Sequence, residues 1–155
     1  MAKYITLEDG KMVLKLLEDL PIDSLTEFEA FTSDSEESTT SDLFIVKSGF
    51  PYTTVAKTAG DFIIDFTAQV GQSNANKSVS YKVEWREGTS GTWLELALSD
   101  NKFPQADGWD YVTSFRKITL SADGIFQVQI TWGNTIDGGT GRIRYAGIKL
   151  GKVAE

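Results

Sequence analysis

The residues best suited to recognition chemistry are the four tryptophans of the chain. Indole rings are large, rigid and amphipathic, so exposed tryptophans can stack on the apolar faces of sugar rings. Trp85 and Trp132 alternate with apolar residues at every second position, which predicts that both belong to a core. Trp93 follows a Gly-Thr turn, and Trp109 lies in a polar stretch. These two are therefore the candidates for contact with a ligand or receptor.

A second group of chemically useful side chains lies between positions 100 and 110. It consists of Asp100, Asn101, Asp107 and Asp110, whose oxygen atoms are of the kind that calcium prefers. The spacing fits no EF-hand loop, so a solvated loop is the favoured interpretation and no metal site is assigned. A glycosidase needs two placed carboxylates, and no pair stands out from the other acidic residues.

The chain has no histidine and no cysteine. Their absence removes every Ser-His and Cys-His catalytic arrangement, the commonest zinc ligand, thiolate metal sites and disulfide bonds. We therefore expect a protein that is not an enzyme, has no catalytic residues and binds no cofactor.

The acidity of the chain is concentrated near its N-terminus. The net charge is −7, and residues 1–42 hold 11 Asp and Glu against 3 Lys and Arg, so that residues 43–155 are nearly neutral. An acidic chain without a basic stripe is a poor candidate for nucleic-acid binding. No apolar run approaches the roughly 18 residues of a membrane span, and no signal peptide is recognisable. We expect no membrane insertion and synthesis in a cytosol.

From residue 43 onward the pattern predicts an all-β fold. Polar and apolar residues alternate with a period of two, as in half-buried antiparallel strands. The clearest inward-facing sets are Phe62, Ile64, Phe66, Ala68 and Val70, and then Phe126, Val128, Ile130 and Trp132. Seven or eight such strands at short spacing indicate an antiparallel β-sandwich or jelly roll over residues 43–155. The Ala146-Gly147 pair inside the last strand predicts a β-bulge.

Residues 1–31 are predicted to form an acidic amphipathic arm with helical character. Apolar residues recur there at helical spacing until Pro21, and Ser24 with Glu27 resembles a capping box that would begin a second turn. This stripe would pack on the chain's own sheet or dock on a partner. In the second case the anchoring residues would be Met12, Leu16, Leu17, Leu20, Leu25 and Phe28.

Residues 32–42 contain no apolar residue and are rich in Ser, Thr and acidic residues. Such a segment buries too little apolar surface to offset the entropy of ordering it. The sequence therefore predicts a linker between the arm and the sandwich domain.

Several segments carry a resemblance to a known family. They are residues 38–41, 44–54 and 59–62 near the start of the sandwich, and residues 115–120, 126–130 and 138–146 near its end. Together they resemble small jelly-roll virion proteins of tailed bacteriophages, whose fold is similar to tumour necrosis factor. The resemblance covers about residues 38–150. It implies homotrimers on the outside of a particle, as head decorations, spikes or fibre tips, attached to a major capsid or tail protein.

In a trimer, one face of each sandwich would meet its neighbour. Arg142 and Arg144 alternate outward on the final strand, and Ile63 and Ile125 occupy outward apolar positions. These four residues are the candidates for the subunit interface. The alternative for the arginines is a surface lattice of ion pairs with outward acidic residues.

Two functions follow from these patterns. The first is a structural virion protein, a trimeric capsid decoration, head fibre or spike, attached through its N-terminal arm. The second is a carbohydrate-binding or receptor-binding module at a fibre tip, which would use Trp93 or Trp109 to contact a host surface glycan.

Overall fold

A computed structural model describes residues 25–134 and 138–153 in full and the backbone of residues 3–8 and 11–16. Every regular element in these ranges is a strand. In chain order they are β1 (Lys3–Glu8), β2 (Lys11–Leu16), β3 (Leu25–Ser33), β4 (Glu37–Thr39), β5 (Ile45–Val46), β6 (Tyr52–Thr53), β7 (Gly60–Gln72), β8 (Lys77–Glu87), β9 (Leu94–Phe103), β10 (Gly108–Leu120), β11 (Phe126–Asn134) and β12 (Gly141–Val153).

The strands from β3 onward form two five-stranded antiparallel sheets. Sheet I has the order β10-β7-β12-β3, and β4 also pairs with β12; sheet II has the order β5-β11-β8-β9, and β6 also pairs with β11. Two antiparallel sheets with one shared apolar core are the architecture of a β-sandwich or jelly roll. The predicted fold class is confirmed, and the eight strands β5 to β12 agree with the seven or eight expected from residue 43 onward.

The core lies between the sheets and follows the predicted alternation. On β7 the residues from Phe62 to Val70 are buried at every second position, and the residues between them are half-buried. The central strand β11 is buried along its whole length. Trp132 is 0% exposed and Trp85 is 8% exposed, which confirms both tryptophans as core residues. In the described residues no helix is long and apolar enough to cross a membrane.

The bulge predicted in the last strand is present. The register of β12 against β7 shifts between Arg144 and Gly147. Tyr145 lies in this shift with a φ of 50°, a left-handed conformation that is uncommon for a residue with a side chain. The shift leaves Tyr145 half-exposed while Ala146 returns to the core.

The helical arm predicted for residues 1–31 is wrong where the structure describes it. Residues 3–8 and 11–16 form an antiparallel hairpin in which Ile5 pairs with Leu14 and Leu7 pairs with Met12. Asp9-Gly10 stands between the two strands in the sequence, and an Asp-Gly dipeptide is a strong hairpin signal. The apolar run around Met12 therefore satisfied the helical and the strand periods alike. Leu17 and Leu20 lie outside the described residues.

The second predicted helical turn is also a strand. Leu25 and Phe28 belong to β3, which pairs with β12 from Leu25↔Val153 to Ser33↔Ala146. The Glu27 backbone has a φ of 51°, so the strand is irregular at this position. Residues 25–33 are thus part of sheet I, because the long strand β12 offers them an edge to pair with.

The structure also differs from the linker expected over residues 32–42. The short strand β4 pairs with β12 through Thr39↔Gly141 and Glu37↔Ile143. The polar residues of this segment bind a lysine: the Lys47 side chain is fully buried, and its Nζ donates hydrogen bonds to Ser33 Oγ at 3.1 Å, Ser35 Oγ at 2.8 Å and Glu37 Oε1 at 2.7 Å. The segment is polar because it solvates a buried cation.

A second buried lysine joins β3 to the loop after β6. Lys57 forms an ion pair with Glu29 and donates a hydrogen bond to the Glu27 carbonyl oxygen at 2.9 Å. Glu29 also accepts a hydrogen bond from the Tyr52 hydroxyl. Burial raises the pKa of Tyr52 to about 12, and this hydrogen bond adds to the effect. Lys47 and Lys57 thus connect β3, the edge strand of sheet I, to the segments that flank β5 and β6 of sheet II.

Candidate functional site: the outer face of sheet I

The outer face of sheet I carries four of the five strongly exposed aromatic side chains among the described residues. Successive rows across the strands follow from the register. One row runs Phe115–Asp65–Lys149–Ala30, and the next runs Thr113–Thr67–Gly147–Thr32. Phe28, Ile63, Tyr111 and Tyr145 flank these rows, and together these residues are called the sheet I face below.

Several aromatic side chains on the sheet I face are strongly exposed. The exposed fractions are 60% for Phe28, 62% for Tyr111, 61% for Phe115 and 50% for Tyr145. One row between them, from Thr113 to Thr32, is small or β-branched and therefore low and flat, and the other row carries Asp65 and Lys149. Contiguous exposed apolar surface on a folded domain is a mark of an interaction site.

The outer face of sheet II is built differently. Its central residues are polar and bind each other: Gln129 Nε2 donates to Glu84 at 2.9 Å, and Arg86 donates to Gln127 at 2.9 and 2.7 Å. Thr131 Oγ1 adds a 3.3 Å bond to Glu84. The three β11 residues of this ladder are themselves buried, so the ladder satisfies polar groups that have lost their water. The two faces of the sandwich therefore differ in polarity.

Two carboxylates on the sheet I face have opposite environments. Asp61 forms an ion pair with Lys117 and accepts the Thr119 hydroxyl at 2.6 Å, and these hydrogen bonds hold its pKa below the usual range. Asp65 lies four residues further along β7 and accepts no hydrogen bond from the described residues. Burial raises the pKa of Asp65, and Lys149 opposes this only in part.

Trp109 lies flat across β7 at one end of the sheet I face. A Cβ atom at Gly71 would come within 2.9 Å of the Trp109 ring, so only glycine permits this approach. The Arg144 guanidinium carbon lies 3.9 Å from the ring centroid, and that of Arg142 lies 5.0 Å away. Arg144 in turn donates to Gln69 at 2.9 Å, and Arg142 forms an ion pair with Asp107 at 3.1 Å. A sugar could stack on the covered side of this ring only by displacing the guanidinium.

Trp93 occupies the opposite sheet. It is half-buried beside Leu94, whose side chain is 52% exposed, at the start of the edge strand β9. The Arg86 guanidinium carbon lies 4.3 Å from the Trp93 ring centroid and is itself held by Gln127 and the Gly91 carbonyl oxygen. The two tryptophans predicted as ligand contacts are therefore on different sheets and do not form one platform.

The predicted interface residues are brought together in part. Ile63, Arg142 and Arg144 lie on the sheet I face, at register positions facing Gly151, Gly71 and Gln69. Ile125 does not join them, because it precedes β11 in sheet II and its carbonyl oxygen accepts the Gly88 N–H. Of the predicted anchoring residues, Phe28 lies on the sheet I face, and Leu25 is half-buried at the start of β3. Met12 and Leu16 belong to β2.

The acidic group between positions 100 and 110 does not converge. Asp100 accepts the Ser80 hydroxyl at 2.7 Å, whereas Asp107 pairs with Arg142. Within the described ranges no three acidic residues are grouped so that they could hold a metal ion.

Sequence reasoning missed Tyr111 and Phe115, the most exposed aromatic residues of β10. The signal was available, because Tyr111, Thr113, Phe115 and Lys117 alternate with inward positions that include Val112 and Ile118. Aromatic residues at outward positions of a strand whose inward positions are apolar indicate that the outer face also carries apolar surface.

No protein-family model matches this sequence, and none of the curated proteins matches it. Among solved structures, the chain is similar to Eiger TNF from S. frugiperda, with a TM-score of 0.51, 15% identity and coverage of 83% of this chain and 94% of that one. It is also similar to a chain of infectious bursal disease virus, Gx strain, with a TM-score of 0.53, 11% identity and coverage of 97% of this chain.

The VP2 subviral particle of infectious bursal disease virus gives a TM-score of 0.51 at 12% identity, with 97% of this chain covered. This chain spans 36% of each of the two viral chains. At these identities the likeness concerns the fold alone. The fold is a jelly roll, shared by a tumour necrosis factor and by viral structural proteins.

Proposed function

We propose that this protein is a non-enzymatic structural component of a tailed-bacteriophage particle. It forms homotrimers through the sheet I face and is attached at the surface of the particle, to a major capsid or tail protein, by its N-terminal segment. The observation that carries the proposal is the exposed aromatic sheet I face on a jelly roll whose opposite face is a satisfied polar ladder. The absence of histidine and cysteine supports a role without catalysis.

The interface follows from the energetics of the sheet I face. Burying an aromatic side chain that is half or more exposed contributes up to about 1.5–3 kcal/mol, and each copy offers four such residues. A ring of three copies closes the assembly and covers the exposed aromatic residues of the sheet I face. Arg142 and Arg144 lie at the edge of the face, where charges set the register of association more than its strength.

The attachment rests on the N-terminal hairpin. An isolated two-stranded hairpin is marginally stable in water, and β1 and β2 pair with each other in a sheet of two strands. Packing against another protein would stabilise the hairpin. Its apolar register pairs, Ile5–Leu14 and Leu7–Met12, suit an apolar groove on a particle. Three hairpins on one trimer raise the avidity without tighter single contacts.

The test separates assembly from attachment. We expect light scattering on a sizing column to give the mass of three 17.1-kDa chains. A chain that lacks residues 1–24 should keep that mass, since β3 and β4 are retained, but should no longer bind particles stripped of the protein. Residues 1–24 fused to an unrelated trimeric protein should transfer binding. A shortened chain that still decorates particles would exclude the hairpin as the anchor.

A second candidate function is glycan or receptor binding at the rim of sheet II. It is favoured by the half-buried Trp93, which lies beside the exposed Leu94 and over a guanidinium that Gln127 holds in place. This function predicts that a host surface polysaccharide shifts the tryptophan fluorescence. The Trp93→Ala variant should lose the shift, and Trp109→Ala should keep it because Trp109 is covered by Arg144. No shift with a broad panel of glycans would exclude this candidate.

A further inference from the structure

Asp65 occupies the centre of the sheet I face, and the cation beside it in register, Lys149 on β12, forms no ion pair with it. Its register neighbours are Phe115 on β10 and Lys149 on β12, and Ile63 and Thr67 lie on either side of it along β7. Among the described residues no side chain donates a hydrogen bond to Asp65, and Lys149 lies too far away for an ion pair. The carboxylate is already partly desolvated in the single chain, which raises its pKa.

The other charged groups of this face are already paired. Lys117 on β10 is paired with Asp61, which belongs to β7 itself. On β12, Arg144 binds Gln69 and lies 3.4 Å from Glu36, and Arg142 binds Asp107. Ala30 and Thr32 of β3 face the same rows and carry no charge. Lys149 is therefore the single cation that bears on Asp65 from the described part of the face.

We infer that assembly through the sheet I face is coupled to the uptake of a proton by Asp65, so that acidification tightens the assembly. The inference rests on the proposed assembly face. Burying Asp65 against a neighbouring copy removes more of its water, and an uncompensated carboxylate in an interface costs several kcal/mol. Protonation removes that cost, and the neutral acid can donate a hydrogen bond to a threonine or a backbone carbonyl of the same flat region.

The direction of the pH dependence follows from linkage. Asp65 has a raised pKa in the single chain, and further desolvation raises it again in the assembly, so the assembled state binds more protons. The association constant therefore rises as the pH falls through the assembled-state pKa, and it levels off below the pKa of the free chain. Each further unit of pKa difference is worth about tenfold in the association constant per copy.

The test measures self-association by sedimentation equilibrium from about pH 7.5 to about pH 5. We expect the association constant of the unaltered chain to rise by roughly tenfold or more over this range. Asp65→Asn should associate tightly at both ends of the range and show little pH dependence. Asp61→Asn is the matched control, because Asp61 lies on the same strand and face but is paired. It should keep the pH dependence of the unaltered chain.

The possible failures are distinguishable. A chain that assembles with an association constant independent of pH would overturn the coupling and leave the assembly face intact. Association that weakens in acid, with the loss abolished by Asp65→Asn, would show that a cation of the neighbouring copy pairs with Asp65, and would also overturn it. A chain that stays monomeric at every pH and concentration would overturn the proposed assembly together with the coupling.

Discussion

Replacing Phe115 with glutamate is expected to convert the assembled protein to monomers. Phe115 is 61% exposed on the sheet I face and lies in register beside the uncompensated Asp65. The substitution removes about 1.5–3 kcal/mol of apolar burial and adds a second carboxylate next to the first. Leaving a charge unpaired in an interface costs about 3–5 kcal/mol more. Together these terms weaken each contact by a factor of roughly a thousand or more.

The measurement is the solution mass of the variant at micromolar concentration. Leu98→Glu is the matched control, because Leu98 is a 56% exposed apolar residue on β9 whose register partner is Lys82 of the polar sheet II ladder. It should leave the mass unchanged. Far-ultraviolet circular dichroism should be the same for both variants, since neither residue belongs to the core. A Phe115→Glu protein that keeps the mass of the unaltered chain would show that the sheet I face is not the interface.

Replacing Glu37 with alanine is expected to destabilise the fold by about 3–5 kcal/mol. Lys47 has no exposed surface, and Glu37 supplies the only carboxylate that contacts its Nζ atom among the described residues. The variant leaves a buried ammonium with two serine hydroxyls as its acceptors. For a domain of this size the midpoint of thermal unfolding should fall by roughly 6–20 °C.

Two comparisons make this prediction specific. Glu36→Ala removes the neighbouring exposed carboxylate, whose ion pair with Arg144 is 3.4 Å long, and should change the stability by less than about 1 kcal/mol. Adding Lys47→Met to Glu37→Ala should restore part of the loss, because the buried cation is then replaced by an apolar side chain. If the double variant unfolded at a lower temperature than Glu37→Ala, the penalty would not come from the unpaired charge. All variants need the same protein concentration, since assembly contributes to apparent stability.

The sandwich was predictable because each central strand has one apolar face. The alternation from Phe62 to Val70 and from Phe126 to Trp132 has no helical interpretation. The burial follows it residue by residue on β7, whereas on β11 the residues between the apolar ones are buried as well. The helix predicted around Met12 failed for the opposite reason. Six apolar residues within the nine positions from Met12 to Leu20 fit both periods, and the Asp9-Gly10 signal was needed to choose between them.

The linker prediction failed because the composition of a segment does not reveal which distant residues its side chains contact. Residues 32–42 lack apolar side chains, yet Ser33, Ser35 and Glu37 bind Lys47, which follows some ten to fifteen residues later. The exposed aromatic residues of β10 were visible in the sequence as an alternation. Their neighbours Asp65 and Lys149 come from other strands, and only the register of sheet I places them in one row.

The pairing of β3 with β12 has a consequence for how the protein is made. These strands are separated by more than a hundred residues of sequence, so sheet I is completed only when Val153 has left the ribosome. Until then Phe31, Ile148 and Leu150 lack their neighbours. Non-local strand pairing of this kind also makes the domain fold more slowly than a helical domain does. A nascent chain therefore presents no finished sheet I face until β12 has been synthesised. The proposed association through this face has to follow that step.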